Sequence, residues 1–262
     1  MHSQLFSRRS ISILITLSLG LAIGLSFPVE ARKPSTRRVP VRVAFQPPKG
    51  QGMPTRTAGG ASRTSTTCPT MAIDQTELTA LVPAFLAENR IGSNSTGLTT
   101  KATPSFYFFV PAIAAQQAVF SLKDENHQDI YQTRIPLSGE VGIVSVKLPT
   151  DVPPLEISKS YRWSFGIVCQ AQSPQQQSGV VFVTGEIRRV EVDAVLTRQL
   201  QQLTPLEQAA VYARNGIWFD SMDIIANLRK TQPNDITLEQ KWEELLNSVD
   251  LGDIAQQPFI NP

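Results

Sequence analysis

The chain has 262 residues, 41% of them apolar, which suits one or two domains with ordinary cores. Its 24 Lys/Arg nearly balance its 22 Asp/Glu, but the charge is divided along the chain. There are only two histidines, His2 and His127, which argues against a histidine-dependent triad, a Cys–His pair or a multi-histidine metal site.

The first residues read as an export signal. Arg8 and Arg9 form a basic start, and residues 11–27 are an apolar run broken only by Ser, Thr and Gly. Val29-Glu30-Ala31 places small residues for cleavage between Ala31 and Arg32, so residues 1–31 are expected to leave as a signal peptide. An uncleaved anchor fits less well. The run has 17 residues, and Arg32, Lys33, Arg37 and Arg38 follow it on the side facing away from the cytosol. No stable transmembrane anchor is expected after cleavage. SRRSISI partly resembles a twin-arginine signal, so the export route stays open.

Residues 32–67 carry eight Lys/Arg and no acid. Arg, Pro, Gly, Ser and Thr dominate, so the segment is expected to be a disordered basic linker that cannot bury enough surface to offset its ordering entropy. VRVAF at 41–45 is its one piece with strand character. The basic run is suited to an anionic envelope polymer or membrane surface, and no nucleic-acid partner is expected of an exported chain.

From residue 68 onward the balance is 14 Lys/Arg against 21 Asp/Glu, a net of −7. Residues 68–192 punctuate like an all-β domain. ELTALV at 77–82 ends at Pro83, and SFYFFV at 105–110, apolar on both faces, is expected to be covered on both sides. Residues 118–122 and 130–137 flank the turn KDENHQ as a hairpin. Residues 142–148 alternate. SYRWSFGIVCQ at 160–170 alternates strictly, with Tyr161, Trp163, Phe165, Ile167 and Cys169 on one face, and is read as the core strand. Residues 180–190 close the set. Leu155 and Tyr161, six apart, resemble the tyrosine corner of immunoglobulin-like and fibronectin-type sandwiches, which would make the Tyr161 strand next to last. The fold expected is mainly β, an immunoglobulin-like β-sandwich.

Cys68 and Cys169 are the only cysteines. In an exported chain such a pair reads as a disulfide, stapling the start of the folded body to its core strand. The alternative is two buried thiols.

Residues 193–262 change to a helical period and form a short α-helical module. A short helix is expected over 195–203. Thr204-Pro205-Leu206-Glu207 starts the next with a capping box, and Thr237 to Gln240 offers a second one. Residues 202–235 resemble one tetratricopeptide unit, with Tyr212, Gly216, Trp218 and Pro233 at motif spacing. Ala209 and Ser221 depart from it. Tyr212, Trp218 and Trp242 are the candidate residues for helices that bind an envelope protein partner. The alternative is a hairpin that merely packs on the sandwich.

No catalytic constellation emerges, and neither a cofactor nor a metal site is expected. Asp220 and Asp223 share a helix face and are expected to be solvated, like Glu243 and Glu244. Asp124, Glu125 and Asp129 in the hairpin lack calcium-loop spacing. Asn94-Ser95-Thr96 is a glycosylation sequon of use only in an exported eukaryotic protein.

GMPTRTAGGASR, Cys68, LTALVP, SFYFFVP, YQTRIPL, GIVSVKLP, YRWSFGIVC, RRVEVD and YARNGIWFDSM together resemble the cyanobacterial domain-of-unknown-function family 928. The resemblance covers nearly everything after the signal. It implies an exported, periplasmic protein of a Gram-negative envelope, and it carries over no activity, ligand or catalytic residue. The expectation is a non-enzymatic exported binding or adaptor protein. The rival is a structural envelope component held by its basic tail.

Overall fold

A computed structural model of the chain describes residues 41–49, 60–61, 77–86, 93–113, 115–169 and 179–261. In chain order the strands are β1 (Gly60–Ala61), β2 (Thr79–Ala80), β3 (Ala84–Leu86), β4 (Ser93–Thr99) and β5 (Ser105–Val110). They continue with β6 (Ala115–Lys123), β7 (Asp129–Pro136), β8 (Gly142–Lys147), β9 (Ser160–Cys169) and β10 (Gly179–Arg189). Four helices follow: α1 (Ala194–Gln201), α2 (Pro205–Arg214), α3 (Trp218–Thr231) and α4 (Ile236–Asn247), then a short 3₁₀ turn, Gly252–Ile254. No helix among the described residues is long and apolar enough to cross a membrane.

The fold is mainly β, with two sheets and a helical carboxyl-terminal region. The larger sheet runs β3-β4-β10-β9-β6-β7, and the smaller runs β2-β5-β8. β4 lies parallel to β10 through Glu186 to Arg189, and β1 pairs further along the same strand at Val181 and Phe182. β9 sits between β10 and β6 and is the next-to-last strand in the chain.

The alternation seen in β9 dictates the core. Tyr161, Trp163, Phe165, Ile167 and Cys169 are all buried, while Arg162 is exposed. Phe165 stacks on Phe108 of β5 at 4.2 Å between ring centres, and Phe106 meets Phe120 of β6 at 4.9 Å. Phe106 and Phe108 therefore face the larger sheet. Tyr107 points the other way, since successive side chains alternate, and it meets Asp223 of α3 and Phe259. The smaller sheet is covered by the larger one on one side and by the helices on the other, which is why all six residues of β5 are buried. One hydrophobic core spans both sheets and the helices.

Turn and cap chemistry fix the joints. Tyr161 Oη accepts from the Glu156 amide at 3.0 Å, closing the corner that enters β9. Thr204 and Glu207 form the expected capping box of α2. The second expected box does not form. Asp235 caps α4 by accepting from the Thr237 and Leu238 amides, because its carboxylate lies one residue before the helix and leaves Thr237 inside the first turn. Gly216, at φ +73°, supplies the left-handed turn between α2 and α3.

Residues 41–49 correct the expectation of a solvated linker over 32–67. Val43 and Phe45 are buried, and Phe45 meets Trp218 edge-on at 5.4 Å. The segment runs extended without joining a sheet. Its amides donate instead to Glu244 (from Val43, 3.1 Å), Ser248 (from Phe45, 2.9 Å) and the Ala213 carbonyl (from Gln46, 3.0 Å). Val43 and Phe45, two apolar side chains at alternate positions, add about 1.5–3 kcal/mol each on burial to these bonds. The rest of the expected linker lies outside the described residues, apart from the β1 backbone.

Candidate functional site

The most structured polar cluster sits where the β4–β5 connection meets α3. Thr99 is fully buried at the end of β4, and Thr100 and Lys101 follow it. Asp220 and Asp223, one turn apart on α3, face them. Thr99 Oγ1 donates to Asp220 Oδ2 at 2.7 Å, the Thr100 amide donates to the same oxygen at 3.0 Å, and the Thr100 hydroxyl donates to Oδ1. Lys101 Nζ pairs with Asp223 Oδ2, and Tyr107 Oη donates to Asp223 Oδ1 at 2.8 Å. Arg189 of β10 clamps the same connection from behind, bonding the Thr100 carbonyl at 3.1 Å and the Leu155 carbonyl at 2.6 Å.

These contacts overturn the reading of Asp220 and Asp223 as a solvated face. Asp220 is 1% exposed and Asp223 8%. Their spacing was read correctly, but α3 turns that face inward against β4 and β5.

The two carboxyls are pushed apart electrostatically. Burial drives Asp220 upward, against the Thr100 and Thr99 bonds, which favour the charged form. Burial also pushes Asp223 up, but the Lys101 bond and charge, with the Tyr107 hydroxyl, outweigh it and hold that carboxyl below its ordinary range. Tyr107 is pushed far up by burial and by the charge of Asp223. Both oxygens of each carboxyl accept from protein donors, so the cluster works as a cross-link between the sheet and α3.

Tyr212 of α2 joins this cluster to the surface. Its hydroxyl is raised by burial and by Asp220, with a Thr100 bond opposing. It also lines an open groove of about 330 Å³ with Val192, Thr197, Leu200, Gln201 and Gln208. α1 forms one wall; Leu200 is its buried residue, and Val195 stands 69% exposed. Gln208 Nε2 is committed to the Leu200 and Leu203 carbonyls, which tie α2 to the end of α1.

The other two candidate aromatic residues are placed differently. Trp218 and Trp242 are fully buried, and their indole N–H groups donate to the Leu81 and Ala255 carbonyls. They belong to the core and present no docking face, because Trp218 packs on Phe45 and Leu81 and Trp242 packs on Phe259 and Ala255. Cys169 is buried at the end of β9, and no described cysteine is free. Cys68, Ala31 and Arg32 lie outside the described residues. In the β6–β7 hairpin, Asp124 accepts from the Asn126 and Gln128 amides, Glu125 from the Ser160 amide, and Asp129 pairs with Lys123. Their carboxylates serve separate partners, and no group among the described residues is suited to a metal ion.

Thr99, Thr100 and Lys101 were missed by sequence reasoning. β4 is SNSTGLT, with Leu98 as its one large apolar residue, and gives no period to mark it as a strand. Its one structural clue is Gly97, where a Cβ would lie 2.6 Å from the Phe219 ring of α3.

The molecule is a two-sheet, mainly β protein whose helical end closes over the smaller sheet. Residues 58–259 match the family described as Domain of Unknown Function (DUF928), so the chain belongs to that family. No curated protein matches it.

Proposed function

We propose that this is a non-enzymatic binding or adaptor protein of the cell envelope, exported by its first 31 residues and engaging an envelope protein through its helical end. The observation that carries the reading is the groove between α1 and α2. It is open, about 330 Å³ in volume, and has Leu200 and the Tyr212 ring in its lining. Val192, Leu200 and Tyr212 share this lining with Thr197, Gln201 and Gln208, and such a mix of apolar and hydrogen-bonding groups suits an inserted peptide side chain. Tyr212 lies against the Asp220 cluster, and a side chain placed in advance in this way would lower the ordering cost of binding.

The finer architecture proposed is an immunoglobulin-like sandwich. Its support is the arrangement of β10-β9-β6-β7 facing β2-β5-β8, with β4 parallel to β10 and a tyrosine at the entry to β9. The α2–α3 pair is proposed as tetratricopeptide-like. Here Ser221 Oγ donates to the Ala209 carbonyl at 2.9 Å, so the two residues that depart from the motif meet each other. A Cys68–Cys169 disulfide is proposed on the burial of Cys169 and on export, and it would contribute roughly 4–5 kcal/mol on the chain-entropy account.

A photo-crosslinking residue at Gln208, introduced into the full chain in its native host, tests the binding reading. A discrete adduct is expected, lost when Leu200→Asp fills the groove with charge. The same adduct from a crosslinker at Gln132 on β7, or no dependence on Leu200, would remove the support for the groove.

A further inference from the structure

The free edge of β8 is bridged by the chain's own end. The Ile143 amide donates to the Pro258 carbonyl at 2.7 Å, and the Ile260 amide donates to the Ile143 carbonyl at 3.0 Å. This makes a single parallel bridge between Ile143 and Phe259, while β8 continues past it to Lys147. The Phe259 ring sits 5.3 Å from Trp242 and 6.4 Å from Tyr107, with the Lys230 ammonium at 4.9 Å and the Arg229 guanidinium at 5.6 Å. Gly142 permits the approach. A Cβ there would lie 2.6 Å from the Pro258 carbonyl oxygen and 2.7 Å from the Ile260 side chain.

The occupant is held lightly. Phe259 and Ile260 are only half-buried, and Asn261 is exposed. Pro258 and Pro262 have no amide N–H, so neither can donate to β8, and any further pairing rests on carbonyls such as that of Ile260. A longer extended segment in the same register would reach Ser145 and Lys147 as well.

We propose that the β8 edge is a strand-addition site for a partner protein's extended segment, and that the tail occupies it in cis as a displaceable placeholder. The segment carries an aromatic residue for the pocket, then an aliphatic one, then acidic residues. The acidic positions follow from direction. A parallel strand leaving the pocket runs towards Ser145 and Lys147, where Lys147 is exposed and Lys230 Nζ lies 3.0 Å from Ser145 Oγ. Main-chain pairing supplies affinity in such sites, and pockets for alternate side chains supply specificity. This site is separate from the α1–α2 groove and does not rest on it.

The test uses the full chain and a fluorescein-labelled peptide TFIEVE. A cis tail competes at millimolar effective concentration, so Phe259→Ala, which empties the pocket, should bind the peptide about tenfold or more tighter than the wild type. Adding Gly142→Val should abolish that binding. If Phe259→Ala loses its fold by circular dichroism, hydrogen exchange on the wild type decides. Saturating peptide should speed exchange of the Ile260 amide about tenfold, as expected for a released strand, while the Ile143 amide stays protected. Equal affinity in folded Phe259→Ala and wild type, binding that survives Gly142→Val, or unchanged Ile260 exchange would overturn the proposal. Wild-type dimers formed without peptide by tail exchange would overturn the assignment to a partner protein.

Discussion

Thr100 is bonded twice to Asp220, through its backbone amide at 3.0 Å and through its hydroxyl, across 120 residues of sequence. With the Thr99 hydroxyl, three donors converge on one buried carboxyl. Asp220→Ala would strand all three, so a loss of about 2–4 kcal/mol in unfolding free energy is expected. Asp220→Asn keeps one acceptor oxygen but turns an amide donor on the remaining donors, and should fall between. Urea unfolding measures both, and a change under about 0.5 kcal/mol for the alanine variant would mean that the cluster does not hold the sheet to α3.

The same residues predict opposing pH dependences. Asp220 lies above its ordinary 3.8 in the folded chain, so the folded state binds the extra proton. Its contribution is complete below 3.8 and fades as pH rises through the raised value. Asp223 lies below 3.8, so its contribution is complete above that value and is lost as pH falls through the lowered one. Asp220→Asn should therefore flatten the decline in stability as pH rises above 3.8, whereas Asp223→Asn should flatten the loss as pH falls below it. Unfolding curves across this range read both slopes, and identical slopes in the two variants would refute the assignment.

Phe45 makes the clearest case for the docked segment. Its ring packs against Trp218, and its amide is taken by Ser248. Pro48 reaches the Gly216 turn, where a Cβ would stand 3.0 Å from the proline ring. Phe45→Ala should cost about 2–4 kcal/mol, since an aromatic side chain leaves a cavity it cannot refill. The melting temperature and protease cleavage within 41–49 should both report it. A variant that melts with the wild type and resists cleavage would show that the segment is not held.

Strong local patterns translated directly into structure. The alternation in β9 named every buried residue of its aromatic face, and Thr204 with Glu207 fixed where α2 begins. Tyr161 was read from a six-residue spacing to Leu155, and its hydroxyl does close the corner at Glu156. What stayed hidden depends on partners far away in sequence. Asp220 and Asp223 looked solvated because nothing in α3 says that Thr99, Lys101 and Tyr107 will cover them. Residues 41–45 looked like linker because their amides are satisfied by Glu244 and Ser248, some 200 residues on. Trp218, from its tetratricopeptide-like spacing, and Trp242, from the stripe of its helix, were candidates for docking beside the alternative of a hairpin packed on the sandwich, and spacing cannot say which side of a helix meets the sheet.

The three tryptophans offer a graded test of that correction. All are fully buried, so Trp→Phe removes a similar volume at each. They differ in their indole N–H groups. Trp218 donates to the Leu81 carbonyl at 2.8 Å. Trp242 donates to the Ala255 carbonyl at 3.0 Å, but that carbonyl also accepts from Arg229 at 3.5 Å. Trp163 Nε1 has no hydrogen-bond partner among the described residues and lies among Phe106 and Phe108. Leaving a buried carbonyl without its donor costs about 1–3 kcal/mol, so Trp218→Phe should be the most damaging. Trp242→Phe should follow, retaining one donor to Ala255 while weakening the stacking of Arg229, which lies 5.3 Å over its ring. Trp163→Phe should be mildest, because phenylalanine keeps the aromatic contacts and removes a donor that has no acceptor to lose. Chemical denaturation of the three single variants gives the ranking, and a Trp163→Phe loss as large as that of Trp218→Phe would contradict it.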